Sequence, residues 1–383
     1  MNTTEFDEIR PYNDDEIAQA FEELAVDQRF REATETVPLD IPYEVLIEQM
    51  RSCKTKDEFQ KNISYKIIWS FGKFANGITI DHTSLRLSKD IAYTYISNHR
   101  DIILDSGFLA VLLIDLGVPA TEIAIGDNLL IYPWIKKIVR INKSFIVHRA
   151  LTMRQVLEAS TLMSRYMHYT IHEKKQSIWI AQREGRAKDS DDRTQKSLIK
   201  MLTMGGAGNV IDRLTELNIA PLAISYEYDP CDFLKACEYQ LKRDNPDYKK
   251  TTKEDLLSMK TGLFGYKGKI HFQVSGCIND ELAQLDPSLP EAELLTQVIA
   301  LIDRYIHANY RLYPNNYIAL DMLRGNRDYT DKYTSEEFYT FESYIEKQLD
   351  KIELPNKDIP FLREKILTMY ANPLINYLAT NNR

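Results

Sequence analysis

Between residues 61 and 290, short β-prone runs alternate with helical ones, and this alternation constrains the fold more than any other feature. The predicted strands are 91–97, 122–126, 143–149, 177–182, 219–226 and 268–274, and the predicted helices among them are 106–117, 152–173 and 194–217. Strands joined by helical crossovers are typical of sheets built mainly from parallel strands. We therefore predict an α/β fold with a mixed, largely parallel central sheet flanked by helices.

Both ends of the chain are predicted to be helical additions to this sheet. Acidic residues at 14–16 precede an apolar pattern with helical spacing, and a regular apolar stripe follows Pro290. We expect an N-terminal helical region at 1–60, an α/β domain at 61–290 and a C-terminal helical region at 291–383.

Composition excludes several classes of protein. The net charge of −8 gives no global attraction to nucleic acid. The four cysteines form no Cys-x-x-Cys pair, and no signal peptide is recognisable after Met1. The longest apolar stretch, 102–118, is interrupted by Asp105 and Asp115, which argues against a membrane span. We expect a cytoplasmic protein, with peripheral contact to the inner face of the membrane as a further alternative.

A histidine with nearby carboxylates follows the first predicted strand, in Asn98-His99-Arg100-Asp101-Ile102-Ile103-Leu104-Asp105. An imidazole can accept a proton near neutral pH, and a carboxylate can fix its tautomer. Asp105 is the first candidate for that partner and Asp101 is the alternative. The competing interpretation is that His99 packs in a turn while both acids only favour the start of a helix.

Three later strands end or begin with residues suited to binding a substrate. Arg149 ends the strand at 143–149, where its guanidinium can hold a phosphate with two parallel bonds. The strand at 177–182 leads into Arg183-Glu184-Gly185-Arg186-Ala187-Lys188, in which the glycine permits close backbone approach to a phosphate. Pro221 stands near the start of the strand at 219–226. Taken singly, each block also fits a buried strand followed by a solvated loop.

In this order the blocks resemble the signatures of the glycerol-3-phosphate and 1-acylglycerol-3-phosphate acyltransferase superfamily, over about residues 65–280. The family's first block encloses four residues between histidine and aspartate, whereas His99 and Asp105 enclose five. Its third block is Glu-Gly-x-Arg-Ser; here Arg186 directly follows the glycine and Ala187 replaces the serine. The segment Gly126-Asp127-Asn128-Leu129 is similar to one typical of the glycerol-3-phosphate branch.

The resemblance implies an O-acyltransferase of glycerolipid synthesis. His99 would act as general base, assisted by Asp105 or Asp101. The residues implied in binding the acceptor phosphate are Arg149, Gly185, Arg186, Glu184 and Lys188, and Pro221 would shape the acyl or acceptor pocket. We expect direct transfer without a covalent intermediate, no metal or redox cofactor, and acyl-CoA or acyl carrier protein as donor.

Other interpretations stay open at this stage. The acceptor could be lysophosphatidate or an amino acid lipid, or the chain could be a catalytically inactive, lipid-binding relative. The run Trp134–Arg140 is apolar on one side and basic on the other, which suits a bilayer surface or an ordinary amphipathic helix. His168 and His172 have a spacing that zinc sites use, but a pair alone rarely completes such a site.

Overall fold

The computed structural model describes residues 3–39, 41–149 and 152–381. Residues 1, 2, 40, 150, 151, 382 and 383, which fall within the three predicted regions, lie outside the described residues. No helix in the described part of the chain is long and apolar enough to cross a bilayer.

A seven-stranded mixed sheet forms the centre of the protein. Its strands are β1 (Ile78–Asp81), β2 (Thr94–Ser97), β3 (Glu122–Gly126), β4 (Ser144–Val147), β5 (Ile178–Ala181), β6 (Ile219–Tyr226) and β7 (Ile270–Val274). The order across the sheet is β1-β7-β6-β2-β5-β3-β4. The five strands from β6 to β4 are parallel, β7 is antiparallel to β6, and β1 is parallel to β7. The predicted α/β fold with a mixed, largely parallel sheet is confirmed.

Helices cover both faces of the sheet and make up both ends of the chain. They are α1 (Ile17–Ala25), α2 (Gln28–Glu35), α3 (Tyr43–Ser52), α4 (Lys56–Phe59), α5 (Tyr65–Ser70), α6 (Leu104–Asp115), α7 (Pro133–Ile141), α8 (Met153–His172), α9 (Lys196–Leu202), α10 (Val210–Glu216), α11 (Asp232–Asp244), α12 (Thr252–Phe264), α13 (Asn279–Leu282), α14 (Glu291–Ala308), α15 (Pro314–Arg324), α16 (Ser335–Asp350) and α17 (Ile359–Asn381).

The two faces of the sheet pack into two separate hydrophobic clusters. Alternate strand residues point to opposite faces: Tyr95 and Trp179 pack with α5 and α6, whereas Ile96 and Ile178 pack with α8, α9 and α14. All eight residues of β6 are buried, as expected for a strand covered on both sides. The first four helices pack with α7, and α15 to α17 pack with α11.

Two local features differ from the prediction. The helix predicted at 194–217 is interrupted between α9 and α10 by a segment in which Gly206 and Gly208 adopt φ of +77° and +81°. Asn209 then caps α10 by accepting from the N–H groups of Ile211 and Asp212. Strand β1 was not predicted, because four alternating residues at a sheet edge give too short a pattern.

Two glycines with the same φ of +77° allow backbone strain to be separated from crowding. A Cβ at Gly117 would meet nothing within 4 Å, whereas one at Gly206 would stand 2.5 Å from the His168 ring. We expect Gly117→Ala to lower the free energy of unfolding by about 1–2 kcal/mol through strain alone. Gly206→Ala should cost at least about 1 kcal/mol more, because the His168 ring must move. Urea unfolding of both variants measures the difference, and equal losses would contradict the crowding at Gly206.

Candidate active site

Four neighbouring parallel strands end at the same edge of the sheet, and predicted site residues follow three of them. β2, β5, β3 and β4 lie side by side in that order. His99 comes just after β2, Arg186 in the loop after β5, and Arg149 just after β4. This edge therefore gathers a histidine and two arginines that are distant in the sequence.

His99 is paired with Asp105. The imidazole Nδ1 lies 2.8 Å from Asp105 Oδ2, and the same oxygen accepts the N–H groups of Arg100 at 2.6 Å and Asp101 at 3.0 Å. Asp105 is completely buried in the first turn of α6. Since a carboxylate with three donors acts as acceptor, Nδ1 carries the hydrogen and Nε2 keeps its lone pair. None of the described residues hydrogen-bonds to Nε2.

Asp101, the alternative partner, instead starts helix α6. Its Oδ1 accepts the N–H groups of Ile103 at 2.9 Å and Leu104 at 2.8 Å. Its Oδ2 lies against Gly262 of α12, where an added Cβ would stand only 2.1 Å away. Burial and the charge of Asp105 raise the pKa of Asp101. The imidazole therefore has Asp105, and not Asp101, as its hydrogen-bonding partner.

Asn98 anchors the loop that carries His99. Its Nδ2 donates to the carbonyl of Ile224 at 2.9 Å, and its Oδ1 accepts the N–H of Ile224 at 2.8 Å. The side-chain amide thus reproduces the paired bonds of a strand residue and extends the contact between β2 and β6. Asn98 is completely buried. It is not among the residues predicted from sequence, because asparagine beside a histidine looks like a turn residue.

A buried ion pair joins the His99 loop to the loop after β5. Arg100 Nη2 lies 2.6 Å from Asp192 Oδ2, and the hydroxyl of Tyr310 donates to the same oxygen at 2.6 Å. Both charged side chains are buried. Removing one partner of a buried pair typically costs about 3–5 kcal/mol. In the sequence, Arg100 and Asp192 resemble solvated loop charges, and no local signal reveals that they meet.

Arg149 lies across the end of β3. A Cβ on Gly126 would stand 2.6 Å from Arg149 Nε, so the guanidinium occupies space that only glycine leaves open. Asp127 Oδ1 accepts the N–H of Arg149 at 3.1 Å. Arg149 Nη1 lies 3.3 Å from Glu184 Oε1, and Glu184 is exposed. Because exposed ion pairs contribute little stability, a bound anion can compete with Glu184 for this arginine.

The loop after β5 presents two further arginines. It turns at Gly185, whose φ of +67° lies in the left-handed region that favours glycine. Arg186 Nη1 and Arg183 Nε are buried atoms with no hydrogen-bond partner among the described residues. Unsatisfied buried donors are costly, so a bound anion would be favoured at this place. Arg183 is not among the predicted site residues, because it stands before the Glu-Gly-Arg motif.

Lys188 already forms an ion pair within the protein. Its ammonium group pairs with Glu238 of α11, which also lies 3.1 Å from Lys242. Burial lowers the pKa of Lys188, although Glu238 opposes that effect. The structure therefore brings Lys188 to the cavity with a carboxylate partner in place.

These side chains share one cavity of about 840 Å³. Its middle is lined by His99, Trp179, Arg149, Arg183, Glu184, Gly185, Arg186 and Lys188. Trp179 directs its ring edge at His99, with centroids 5.6 Å apart, and donates to the hydroxyl of Ser97 at 3.0 Å. Pro221, predicted to shape the pocket, is buried inside β6 opposite Ile96 and is not among the described residues that line the cavity.

The cavity has an apolar part and a mixed part. Helices α5, α6 and α7 with strand β3 supply the apolar part, which includes Ile68, Ile102, Ile103, Ile123, Ile125, Ile135, Ile138 and Val139. Helices α11 and α12 and the residues after α16 supply the mixed part, which includes Phe233, Lys235, Leu241, Tyr248, Lys250 and Leu257. The apolar side of the run Trp134–Arg140 therefore faces the cavity.

The two histidines with zinc-like spacing, His168 and His172, lie in different environments. His168 is buried, and its ring nitrogens lie 3.0 Å from Glu216 Oε2 and 3.2 Å from the carbonyl of Leu202. His172 is exposed. Within residues 3–39, 41–149 and 152–381, no group of three or more His, Cys, Asp or Glu side chains could hold a metal ion.

Comparisons with known proteins do not assign the chain to a family. No family model and no curated protein matches it. Among solved structures, it is similar to the 1-acyl-sn-glycerophosphate (LPA) acyltransferase from Thermotoga maritima, with 11% sequence identity and a TM-score of 0.35. That match covers 76% of this chain and 93% of the other. At this level of likeness the function has to be inferred from the side chains of this chain.

Proposed function

We propose that this protein is an O-acyltransferase that moves an acyl group from an acyl thioester to a hydroxyl of a glycerol phosphate-type acceptor. The observation that carries the proposal is the arrangement around one cavity. The His99–Asp105 pair leaves Nε2 without a hydrogen-bond partner among the described residues. Arg183 and Arg186, each with one buried nitrogen that lacks such a partner, line the same space. A base, an anion site and an apolar compartment are what transfer of an acyl chain to a phosphorylated alcohol requires.

In the proposed reaction His99 Nε2 removes the proton of the acceptor hydroxyl as its oxygen attacks the thioester carbonyl carbon. Asp105 holds the ring and stabilises the imidazolium that forms. The tetrahedral intermediate then expels the thiolate, which takes the proton back from His99. The carbon–oxygen bond replaces the carbon–sulfur bond, and the enzyme returns to its initial protonation state.

The polar and apolar parts of the cavity are proposed to hold different parts of the substrates. Arg149, Arg183 and Arg186 would bind the phosphate of the acceptor through charge-assisted hydrogen bonds. The isoleucine-rich part would take the acyl chain, since burying each methylene contributes about 0.8 kcal/mol. Glycerol 3-phosphate is the first candidate acceptor, and lysophosphatidate and an acylated amino acid are the alternatives. Acyl-CoA and acyl carrier protein both remain candidate donors.

The raised pKa of the one cysteine thiol that lines the cavity among the described residues supports direct transfer of the acyl group. Cys237 lines the cavity, but burial raises the pKa of its thiol, which disfavours the nucleophilic thiolate. We therefore propose that no acyl-cysteine intermediate forms.

His99→Ala should abolish most of the activity. Loss of general-base assistance typically reduces the rate by about 10²- to 10⁴-fold, and we expect a fall in kcat of that size with little change in the acceptor KM. Asp105→Asn should also lower kcat strongly, because it removes the charge that stabilises the imidazolium. Thiol release from acyl-CoA and acyl carrier protein, measured with a panel of glycerol phosphate, lysophospholipid and amino acid lipid acceptors, checks both variants.

The matched control is His172→Ala, which removes an exposed histidine and should retain wild-type rates. If the wild type releases no thiol with any donor and acceptor pair, the catalytic proposal is wrong and the inactive, lipid-binding alternative is favoured. Activity that survives His99→Ala would exclude His99 as the base.

Arg183→Gln and Arg186→Lys should weaken recognition of the phosphate. Lysine keeps the charge near Asp101 but lacks the planar fork of arginine. We expect each variant to raise the KM for a phosphorylated acceptor about tenfold or more with a smaller effect on kcat, because hydrogen bonds to charged groups contribute about 1.5–3 kcal/mol. The KM for the same acceptor without its phosphate should not change. Arg154→Ala is the control, since that side chain is 89% exposed. An equal rise in KM for both acceptors would contradict phosphate binding.

Gly107→Val should shorten the acyl chain that the enzyme prefers. A Cβ at Gly107 would stand 2.9 Å from Ile68 Cδ1, and both residues line the apolar part of the cavity. We expect kcat/KM to fall more for a palmitoyl than for an octanoyl donor. Gly117→Ala controls for lost stability because nothing lies within 4 Å of its added Cβ. An equal fall for both donors would place the acyl chain elsewhere.

A further inference from the structure

The outward side of helix α12 carries exposed lysines, whereas the chain as a whole is acidic. Lys253, Leu256, Leu257 and Lys260 are exposed and follow one another at helical spacing. We call these four residues the α12 outer face. Leu257 is 49% exposed and Leu256 36% exposed, so two adjacent leucines stand in solvent between two lysines. The net charge of the chain is −8, which makes this basic and apolar face a local exception.

The acidic residues of α12 form no ion pair with Lys253 or Lys260 among the described residues. Glu254 accepts bonds from the hydroxyl of Tyr248 and from Thr251 at the start of the helix. Asp255 lies 2.7 Å from Lys250. Because both carboxylates are engaged along the helix, the lysines of the α12 outer face project beside the leucines without an acidic partner in the described ion pairs.

The α12 outer face is continuous with the cavity. Leu257 is exposed and also lines the cavity, together with Ser258 and Met259 of the same helix. On the inward side, Gly262 contacts Asp101, the residue that starts α6 next to the His99–Asp105 pair. An apolar chain that reaches Leu257 from outside thus meets the wall of the cavity directly.

We propose that the α12 outer face docks on an anionic phospholipid bilayer and that a lipid substrate enters the cavity beside Leu257. Leucines flanked by lysines match the acyl boundary and the negative surface of such a bilayer. The entry route rests on the proposed function, whereas the docking does not. An acidic protein such as an acyl carrier protein is the rival occupant. We favour the bilayer because two adjacent leucines are exposed and one of them, Leu257, also lines the cavity.

Co-sedimentation of the full chain with vesicles tests the docking. We expect binding to phosphatidylcholine vesicles that contain phosphatidylglycerol, weaker binding to phosphatidylcholine alone, and loss of the difference at high salt. Leu256→Ser/Leu257→Ser and Lys253→Glu/Lys260→Glu should each weaken binding by about tenfold or more. Thermal unfolding followed by circular dichroism checks that both variants remain folded.

Two controls match these changes. Val26→Ser removes an apolar side chain that is 85% exposed just after α1, and Lys196→Glu/Lys200→Glu reverses two exposed lysines one turn apart in α9. Both should bind vesicles like the wild type. His99→Ala should also bind normally, since docking requires no turnover; this separates a failure of the docking from a failure of the proposed reaction.

Three outcomes would overturn the proposal. The wild type could fail to bind anionic vesicles, or both α12 variants could bind them as tightly as the wild type. Alternatively, an acidic carrier protein could bind the wild type and lose that binding in the α12 variants while vesicle binding is unchanged. In that last case the α12 outer face would be a carrier protein site.

Discussion

The organisation of the site depends on one buried carboxylate. Asp105 has no exposed surface, and a buried charge is tolerated only when donors surround it. The chain between β2 and α6 meets this requirement at Oδ2, which accepts two backbone N–H groups as well as the His99 ring. The other oxygen, Oδ1, has no hydrogen-bond partner among the described residues. The five residues between His99 and Asp105 are enough for the contacts at Oδ2. The orientation of the imidazole is thus a consequence of how the loop satisfies Asp105.

A second buried carboxylate, that of Asp192, links the loop that carries His99 to the loop after β5. Asp192 binds the side chain of Arg100, while the backbone N–H of Arg100 binds Asp105. One residue therefore links both acids, and a shift of the loop after β5 would reach the imidazole through Arg100. The same loop carries Arg183 and Arg186, so His99 and these two arginines are held by a common set of contacts.

The sequence was sufficient for the sheet and for part of the site. Six of the strands lie where apolar β-prone runs predicted them, because parallel strands buried on both faces are strongly patterned. Asp105 was the first candidate partner of His99 and Asp101 the alternative, and the structure places Asp105 Oδ2 2.8 Å from the imidazole. Pro221 does not line the cavity, since the sequence of a buried strand does not indicate which of its residues reach a cavity. Asn98 and Asp192 were not predicted because their hydrogen-bond partners are distant in the chain, and Arg183 was not predicted because it precedes the Glu-Gly-Arg motif.

Gly262 has a further consequence for a membrane-embedded acceptor. Because this residue has no side chain, α12 rests directly on Asp101, and a single helix about 10–12 Å wide separates the loop that carries His99 from the outside. With α12 docked on a bilayer as proposed, an amphiphile anchored by its tail would need to rise by little more than one helix diameter for its head to meet His99. Most of its hydrocarbon would stay in the lipid phase throughout, so the large desorption barrier of a free, water-borne lipid would not have to be crossed.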